Sequence, residues 1–347
     1  MNDEVRFERQ GATGTIWLDR PKALNALTHA MVRAMDATLS AWAADPGVAR
    51  VIIRSTSEKA FCAGGDVRAV RALGPGPHPD QVAFFSDEYR LNARIKHFPK
   101  PFIALVDGIC MGGGVGISAH GSHRVATEKF VFAMPEVAIG FFPDVGGGHV
   151  LSRMPSRVGF YCGLTGGRLG LADALWAGLV THAVRTADLP EIADALTAGA
   201  PIEATLAAAA FVPEPGPIAA RAAAIDRLFA AESVAGCLAL LDAEVGDHAD
   251  FARETAETIR ARSPTSLCVT FEDLRRQGSL DFDDGIRLDH RIAWRILADH
   301  DFFEGVRAVL VDRDNAPRWQ PAALADVDPV EIEAHFAVPP GGDLALP

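Results

Sequence analysis

In the first half of this chain, short β-branched or apolar runs alternate with amphipathic helical stretches, a pattern that fits a layered α/β fold and little else. Val5–Arg9, Thr13–Leu18, Val51–Ser55 and Phe102–Val106 have the length and composition of strands, and shorter ones are expected near Ser122–Ala126 and Phe130–Ala133. Between them, Thr28–Ala44 carries Met31, Met35, Leu39 and Trp42 on one helical face, with Thr28 placed to cap the helix. Gly74–His78 is a loop by composition, and Gln81–Lys96 reads as a second helix. Beyond about residue 185 strand signals fade. Helices are expected over Leu189–Ala198, Ile218–Ala230, Phe251–Arg262 and Leu288–Ile296, and the Pro339–Pro347 tail is expected to be loose.

Three glycine clusters, Ala63–Gly65, Gly112–Gly116 and Gly146–Gly148, invite a nucleotide-binding reading that their spacing refuses. A GxGxxG frame opened at Gly112 meets Ile117 at its last position, and no cluster is followed by Lys-Ser or Lys-Thr. Gly116-Ile117-Ser118-Ala119-His120 lacks the closing glycine of a serine-hydrolase elbow. His120 and His123 belong to no zinc motif and read as surface or structural residues.

The same glycines do make sense as close-approach loops. After strand Val51–Ser55, Phe61-Cys62-Ala63-Gly64-Gly65-Asp66 lets backbone N–H groups come near a ligand, and Gly112–Gly116 opens a helix whose first N–H groups are unpaired. Two donors from two such loops are what an oxyanion hole requires. Tight turns and close helix packing account equally well for each loop taken alone. In the third cluster, MPEVAIGFFPDVGGG (134–148), Glu136 and Asp144 are the only charges in an apolar, glycine-rich stretch. Carboxylates in such surroundings hold raised pKa values and serve as acids, bases or nucleophiles.

Composition narrows the partners. The 347 residues include 45 acidic and 33 basic side chains, a net charge of −12, with no basic run or aromatic interleaving for nucleic acid or an anionic membrane. The most apolar stretch, Phe102–Ser118, is too short and too broken to span a bilayer. Five widely spaced cysteines form no CxxC pair, so neither a disulfide framework nor a cysteine metal site is expected. The opening MNDEVRFERQ has no apolar core, and a signal peptide is not expected there. A reducing cytoplasm fits these features.

FCAGGD (61–66), GICMGGGVG (108–116) and MPEVAIGFFPDVGGG (134–148), in this order, resemble the crotonase (enoyl-CoA hydratase/isomerase) superfamily. FFSDEYRLN (84–92), LTGGRLG (164–170), SPTSL (263–267) and HDFFEGVRAVLVDRDNAPRW (300–319) are similar to its 3-hydroxyisobutyryl-CoA hydrolase branch, a group that serves valine catabolism. The resemblance spans about residues 4 to 330. It implies an α/β fold: a crotonase-like ββα-superhelix core over 1–200, an all-helical extension over 201–330 and a tail over 331–347.

It also implies roles. Gly65 and Gly113 would hold the thioester oxygen through their N–H groups, Glu136 and Asp144 would be the catalytic acids, and Glu88 would contact substrate. Lys22, Ala23 and Leu24, within DRPKALNAL (19–27), would lie along CoA, with Gly64 and Asp66 lining the same site. Hydratases of the superfamily place a second glutamate three residues after the oxyanion glycine. That position is Gly116 here, which disfavours hydration and favours thioester hydrolysis, with enoyl-CoA isomerisation or a non-catalytic CoA-binding module as alternatives. No metal or separate cofactor is expected, CoA being part of the substrate, and a homo-oligomer is expected from the family. An acidic protein must meet polyanionic CoA with a few placed cations and backbone donors.

Overall fold

The structure, a computed structural model, describes residues 4–347; residues 1–3, the first of MNDEVRFERQ, lie outside them. Ten strands occur among the described residues, in chain order β1 (Val5–Gln10), β2 (Thr13–Leu18), β3 (Arg50–Ser55), β4 (Ala60–Cys62), β5 (Phe102–Val106), β6 (Ile109–Met111), β7 (His123–Ala126), β8 (Val131–Ala133), β9 (Leu169–Gly170) and β10 (His182–Ala183). They form a six-stranded sheet in the order β1-β2-β3-β5-β7-β10 and a four-stranded sheet in the order β4-β6-β8-β9. β1 and β2 pair antiparallel as a hairpin, and the larger sheet is parallel from β2 onward.

Consecutive strands β3 and β4, β5 and β6, and β7 and β8 divide between the sheets, so each turn of chain adds one strand to each. This is the repeating ββα coil expected of the superfamily. The larger sheet is buried on both sides: Val51 and Ile53 face the main core while Ile52, Ile103 and Leu105 pack with Leu189, Ile192 and Leu196 of the helix Leu189–Thr197. Continuous apolar strands are what a doubly covered parallel sheet requires.

The helix His29–Ala44 is capped by Thr28, which accepts the Met31 N–H, and Met31, Met35 and Leu39 are buried on one face. The second helix begins earlier than its apolar pattern, at Pro79, because His78 and Gln81 form a capping box. The six strands read from sequence agree with β1, β2, β3, β5, β7 and β8 to within one residue at each end.

The C-terminal part is helical, with two departures from expectation. The helix expected from Leu288 runs Phe282–Ile296, since Asp281 caps it by accepting the Asp284 N–H at 2.8 Å. The Pro339–Pro347 tail is docked rather than loose: Leu344 is buried, Arg291 grips Asp343 through two bonds of 2.6 and 2.7 Å, and Arg90 reaches the Ala345 carbonyl. A segment without periodicity can still be held by one apolar anchor and one bidentate ion pair. The helical part is tied to the front of the fold by the Arg71 side chain on the Phe303 carbonyl and by the Gly76 N–H on the Leu297 carbonyl.

Candidate active site

Three parallel or flanking edges of the small sheet deliver the three motif loops to one place. β4 pairs parallel with β6, and β6 with β8, so Ala63–Gly65, Gly112–Gly113 and Pro135–Gly140 leave the sheet side by side. Ligand sites form at the carboxyl ends of parallel strands because the loops converge there. A cavity of about 180 Å³ lies among them, lined by Gly64, Gly65, Gly113, Glu88, Glu136 and Asp144 together with a wall of aromatic rings. Phe85 stacks on Phe141 at 5.3 Å, which makes one side of this cavity rigid and apolar. A larger cavity of about 380 Å³, between Val234, Phe271 and Ile332, contains none of these groups.

Gly65 and Gly113 face each other. A Cβ placed on Gly113 would stand 3.2 Å from the Gly65 nitrogen and 2.6 Å from Glu88 Oε1, so no larger residue fits without moving the carboxylate. Neither glycine N–H has an acceptor among the described residues. Gly64, at φ +123°, lends its carbonyl to the Leu27 N–H at 2.8 Å and so orients the loop. Gly113 begins a single helical turn, Gly113–Gly116.

Glu88 comes from the helix Pro79–Lys96, Glu136 from the turn Glu136–Ile139, and Asp144 from the turn that precedes the helix Gly147–Leu151. All three carboxyl groups are buried. Glu88 Oε1 and Glu136 Oε2 have no hydrogen-bond partner. Asp144 differs, because the Tyr89 hydroxyl donates to its Oδ2 at 2.8 Å. Burial pushes Glu136 and Glu88 well above the usual carboxylate range, and the nearby Asp144 raises both further. Burial also raises Asp144, to about 7, against the opposing effect of the Tyr89 bond. All three are therefore held above the usual carboxylate range, and they titrate as a group. Cys62, beside the first loop, is no competing nucleophile: burial pushes its thiol far above neutrality.

Tyr89 was not singled out by the sequence reading, although it stands next to Glu88 in FFSDEYRLN; a phenol adjoining a buried acid was the available signal. Asn92, on the same helix, explains the glycine that separates this chain from the hydratase pattern. A Cβ on Gly116 would lie 2.7 Å from Asn92 Nδ2 and 2.8 Å from Val145 Cβ, so that space is filled and a glutamate cannot enter it. Val309 and Leu310, in a π-helical turn (Arg307–Val311), close the cavity from the C-terminal part.

The remaining expected contacts lie outside the cavity lining. Lys22, Ala23 and Leu24 stand on the turn Pro21–Ala23 and its cap, joined to the first loop where the Ala63 N–H donates to the Leu24 carbonyl. Asp66 turns its carboxylate to Arg20 at 3.0 Å, and Arg20 also pairs with Glu4 at 2.9 Å. Among the described residues no group of three acidic, histidine or cysteine side chains could hold a metal, and no helix is long and apolar enough to cross a membrane.

A strand-split double sheet with opposed loop glycines and buried acids is the architecture of the enoyl-CoA hydratase/isomerase family, and the chain belongs to it: the family profile matches residues 13–336. The chain is similar to the 3-hydroxyisobutyryl-CoA hydrolase, mitochondrial, of Gallus gallus, at 40% identity covering 99% of this chain and 91% of that protein. The protein of the same name from Homo sapiens is 39% identical, with 96% and 88% covered. Among solved structures, a carnitinyl-CoA dehydratase from Mycobacterium thermoresistibile superposes with a TM-score of 0.93 at 41% identity, covering 98% of each chain. An enoyl-CoA hydratase from Rhodobacter sphaeroides 2.4.1 gives 0.92 at 39%, covering 99% of this chain and 100% of that one.

These relatives correct one expectation. The two similar hydrolases are named mitochondrial, which overturns the cytoplasmic placement. The five cysteines are unpaired, and this does not say which compartment holds the protein.

Proposed function

We propose that this protein is an acyl-CoA thioester hydrolase whose substrate is 3-hydroxyisobutyryl-CoA, an intermediate of valine catabolism. The observation that carries the reading is the opposed, unpaired Gly65 and Gly113 N–H groups over a cavity that also holds Glu136 and Asp144. The names of the relatives at about 40% identity support it independently.

The thioester carbonyl gains negative charge on its oxygen in the tetrahedral transition state, so two N–H donors stabilise that state more than the bound substrate. Glu136 supplies the attack, either directly on the carbonyl carbon to give a mixed anhydride that water then cleaves, or as the base that removes a proton from water. In both routes CoA leaves as the thiol and the acyl group departs as the acid. Burial favours the protonated form of Glu136, so that proton must pass to Asp144 or Glu88 before Glu136 acts. Glu88, over the two glycines, and Asp144 are placed to bind the 3-hydroxyl and to orient water. Lys22 with the backbone of Ala23 and Leu24 would follow CoA, which enters as part of the substrate; no further cofactor takes part.

The test is thiol release from 3-hydroxyisobutyryl-CoA, followed with a chromogenic thiol reagent across a panel of short acyl-CoAs. Release at the highest rate with the 3-hydroxyisobutyryl ester is expected. No release, together with movement of a double bond in an enoyl-CoA, would establish the isomerase reading instead, because isomerisation leaves the thioester intact. A hydratase reading takes support from the name of the Rhodobacter structure, but Gly116 has no side chain to activate water. Single turnover in ¹⁸O-water separates the two routes, since only the anhydride route can place a Glu136 oxygen in the product.

A further inference from the structure

Behind Asp144, on the side away from the cavity, lies a second set of buried polar groups from the C-terminal helices. The helix Pro264–Gln277 contributes Asp273 and Gln277, and the helix Phe282–Ile296 contributes Asp289; all three side chains are without exposure to solvent. Asp289 is doubly held. Its Oδ2 accepts the Gly146 N–H at 2.8 Å and its Oδ1 accepts from Gln277 Nε2 at 2.9 Å. The same Gln277 nitrogen reaches the Gly285 carbonyl at 3.2 Å and Asp273 Oδ1 at 3.3 Å.

Gly146 is two residues from Asp144 and is the residue at φ +74° that turns the chain into the helix Gly147–Leu151. On its other side the Gly147 N–H donates to the Asp144 carbonyl at 2.6 Å, closing the turn. The glycines that follow are matched to the rear groups: a Cβ on Gly148 would stand 2.5 Å from Asp273 Oδ2, so the third glycine of the run admits that carboxylate. The turn therefore has a hydrogen bond on each face, Tyr89 to the Asp144 side chain in front and Asp289 to the Gly146 backbone behind.

We propose that Asp289, held by Gln277 and Asp273, is a positioning residue for the reaction: by accepting the Gly146 N–H it fixes the turn that aims the Asp144 carboxylate at Tyr89 and the cavity. Nothing about substrate binding requires Asp289, because it touches neither the cavity lining nor the loop glycines that face the thioester. Its contribution acts through Asp144, and it rests on the role given to Asp144 under the proposed function. A misplacement of about 1 Å in a reacting group can lower a rate roughly 100-fold while leaving binding unchanged.

Asp289→Ala removes the acceptor, Asp289→Asn keeps one, and Gln277→Met keeps the carboxylate but removes the amide that steadies it. For Asp289→Ala, kcat for thiol release is expected to fall roughly 10- to 100-fold with KM within about threefold of wild type. Asp289→Asn is expected to recover at least about a tenfold part of that loss, and Gln277→Met to lower kcat about three- to tenfold, again with KM retained. If Asp289→Ala does not fold, the other two variants still carry the test: an equal and full loss of kcat in Asp289→Asn, or an unchanged kcat in Gln277→Met, would overturn the proposal. So would wild-type kcat in a folded Asp289→Ala.

A structural readout separates this idea from the assignment of the reaction. The Gly146 amide proton and the Asp144 carboxyl carbon can be followed by NMR in the resting protein, with no substrate. Both resonances should move in Asp289→Ala and stay near wild type in Asp289→Asn. An unmoved Asp144 resonance in Asp289→Ala refutes the positioning role even where wild-type thioesterase activity is present. Absent activity in the wild type with the expected resonance shifts refutes the reaction and leaves the positioning intact.

Discussion

Two groups of buried acids stand on either side of one turn, and they are built differently. The front acids, Glu88, Glu136 and Asp144, line a cavity, and two of them have an oxygen with no partner. The rear acids, Asp273 and Asp289, are bridged by a single glutamine amide and, although Asp273 Oδ2 also has no partner, they line no cavity of this site. Both groups are raised above the usual carboxylate range, mainly by burial. Perturbed acidity alone thus does not mark the reacting groups. Free oxygens opening into a cavity do so, because only those can exchange their protein environment for substrate.

The largest effect expected from this contrast is at the front. Glu136→Gln should lower thiol release by roughly 1,000-fold or more while circular dichroism and the melting transition remain those of a folded protein. A variant that unfolds would place Glu136 with the rear acids, as a structural group. Activity near wild type would end the thioesterase mechanism proposed here.

Tyr89→Phe should have an intermediate effect with a definite sign. The hydroxyl stabilises the charged form of Asp144, so its removal raises the Asp144 pKa from about 7 and moves the acid limb of the kcat profile to higher pH. A displacement of about one pH unit corresponds to roughly a fivefold loss at pH 7, approaching tenfold at lower pH and recovered at alkaline pH. An unmoved limb would show that the Tyr89 bond does not govern the front group.

Stability should respond in the opposite direction to activity. A carboxyl whose folded pKa lies above its unfolded value contributes nothing below the unfolded value, where both states hold the proton. As pH rises through about 3.8 the unfolded state releases its proton first, and stability is lost until the folded group ionises, near 7 for Asp144 and near 8 for Asp273. Asp144→Asn and Asp273→Asn should therefore each be more stable than wild type at pH 8, by about 1–2 kcal/mol, with the gain vanishing at pH 4. Denaturant melts at the two pH values measure this. The same two variants sharpen the comparison, since only Asp144→Asn should also lose most of its activity.

The smallest effect belongs to the docked tail. Arg291→Ala breaks the pair with Asp343 at a partly exposed site, where such pairs contribute about 1 kcal/mol or less. Thiol release should be unchanged. A marked loss of activity would mean that the tail supports the rear helices more strongly than its contacts indicate.

The sequence carried the small sheet and its loops clearly. Strand composition located β2 and β5 to the residue, and Gly65, Gly113, Glu88, Glu136 and Asp144, taken from four separate motifs, line one cavity. Local chemistry marked Glu136 and Asp144, the only charges in an apolar, glycine-rich stretch, whereas Glu88, beside Asp87, was indicated only by the family resemblance. Asp273 and Asp289 were not noticed, though a signal exists: in Val269-Thr270-Asp273-Gln277 and Ile286-Asp289-Ile292 an acid occupies the buried stripe of an amphipathic helix. A pattern of that kind says that the acid is buried and leaves its partner unstated.

The partner is set by tertiary packing. Asp289 bonds a backbone N–H 143 positions earlier in the chain, and Gly116 is required by an asparagine on another helix. Chain order and residue type determined this protein's coil of paired strands, its loop donors and its acids, since those depend on a few neighbouring residues. How far the acids are raised, which turn is braced from behind and which space is closed to a second glutamate were decided only when distant helices met, because burial and hydrogen-bond distance exist only in the folded chain.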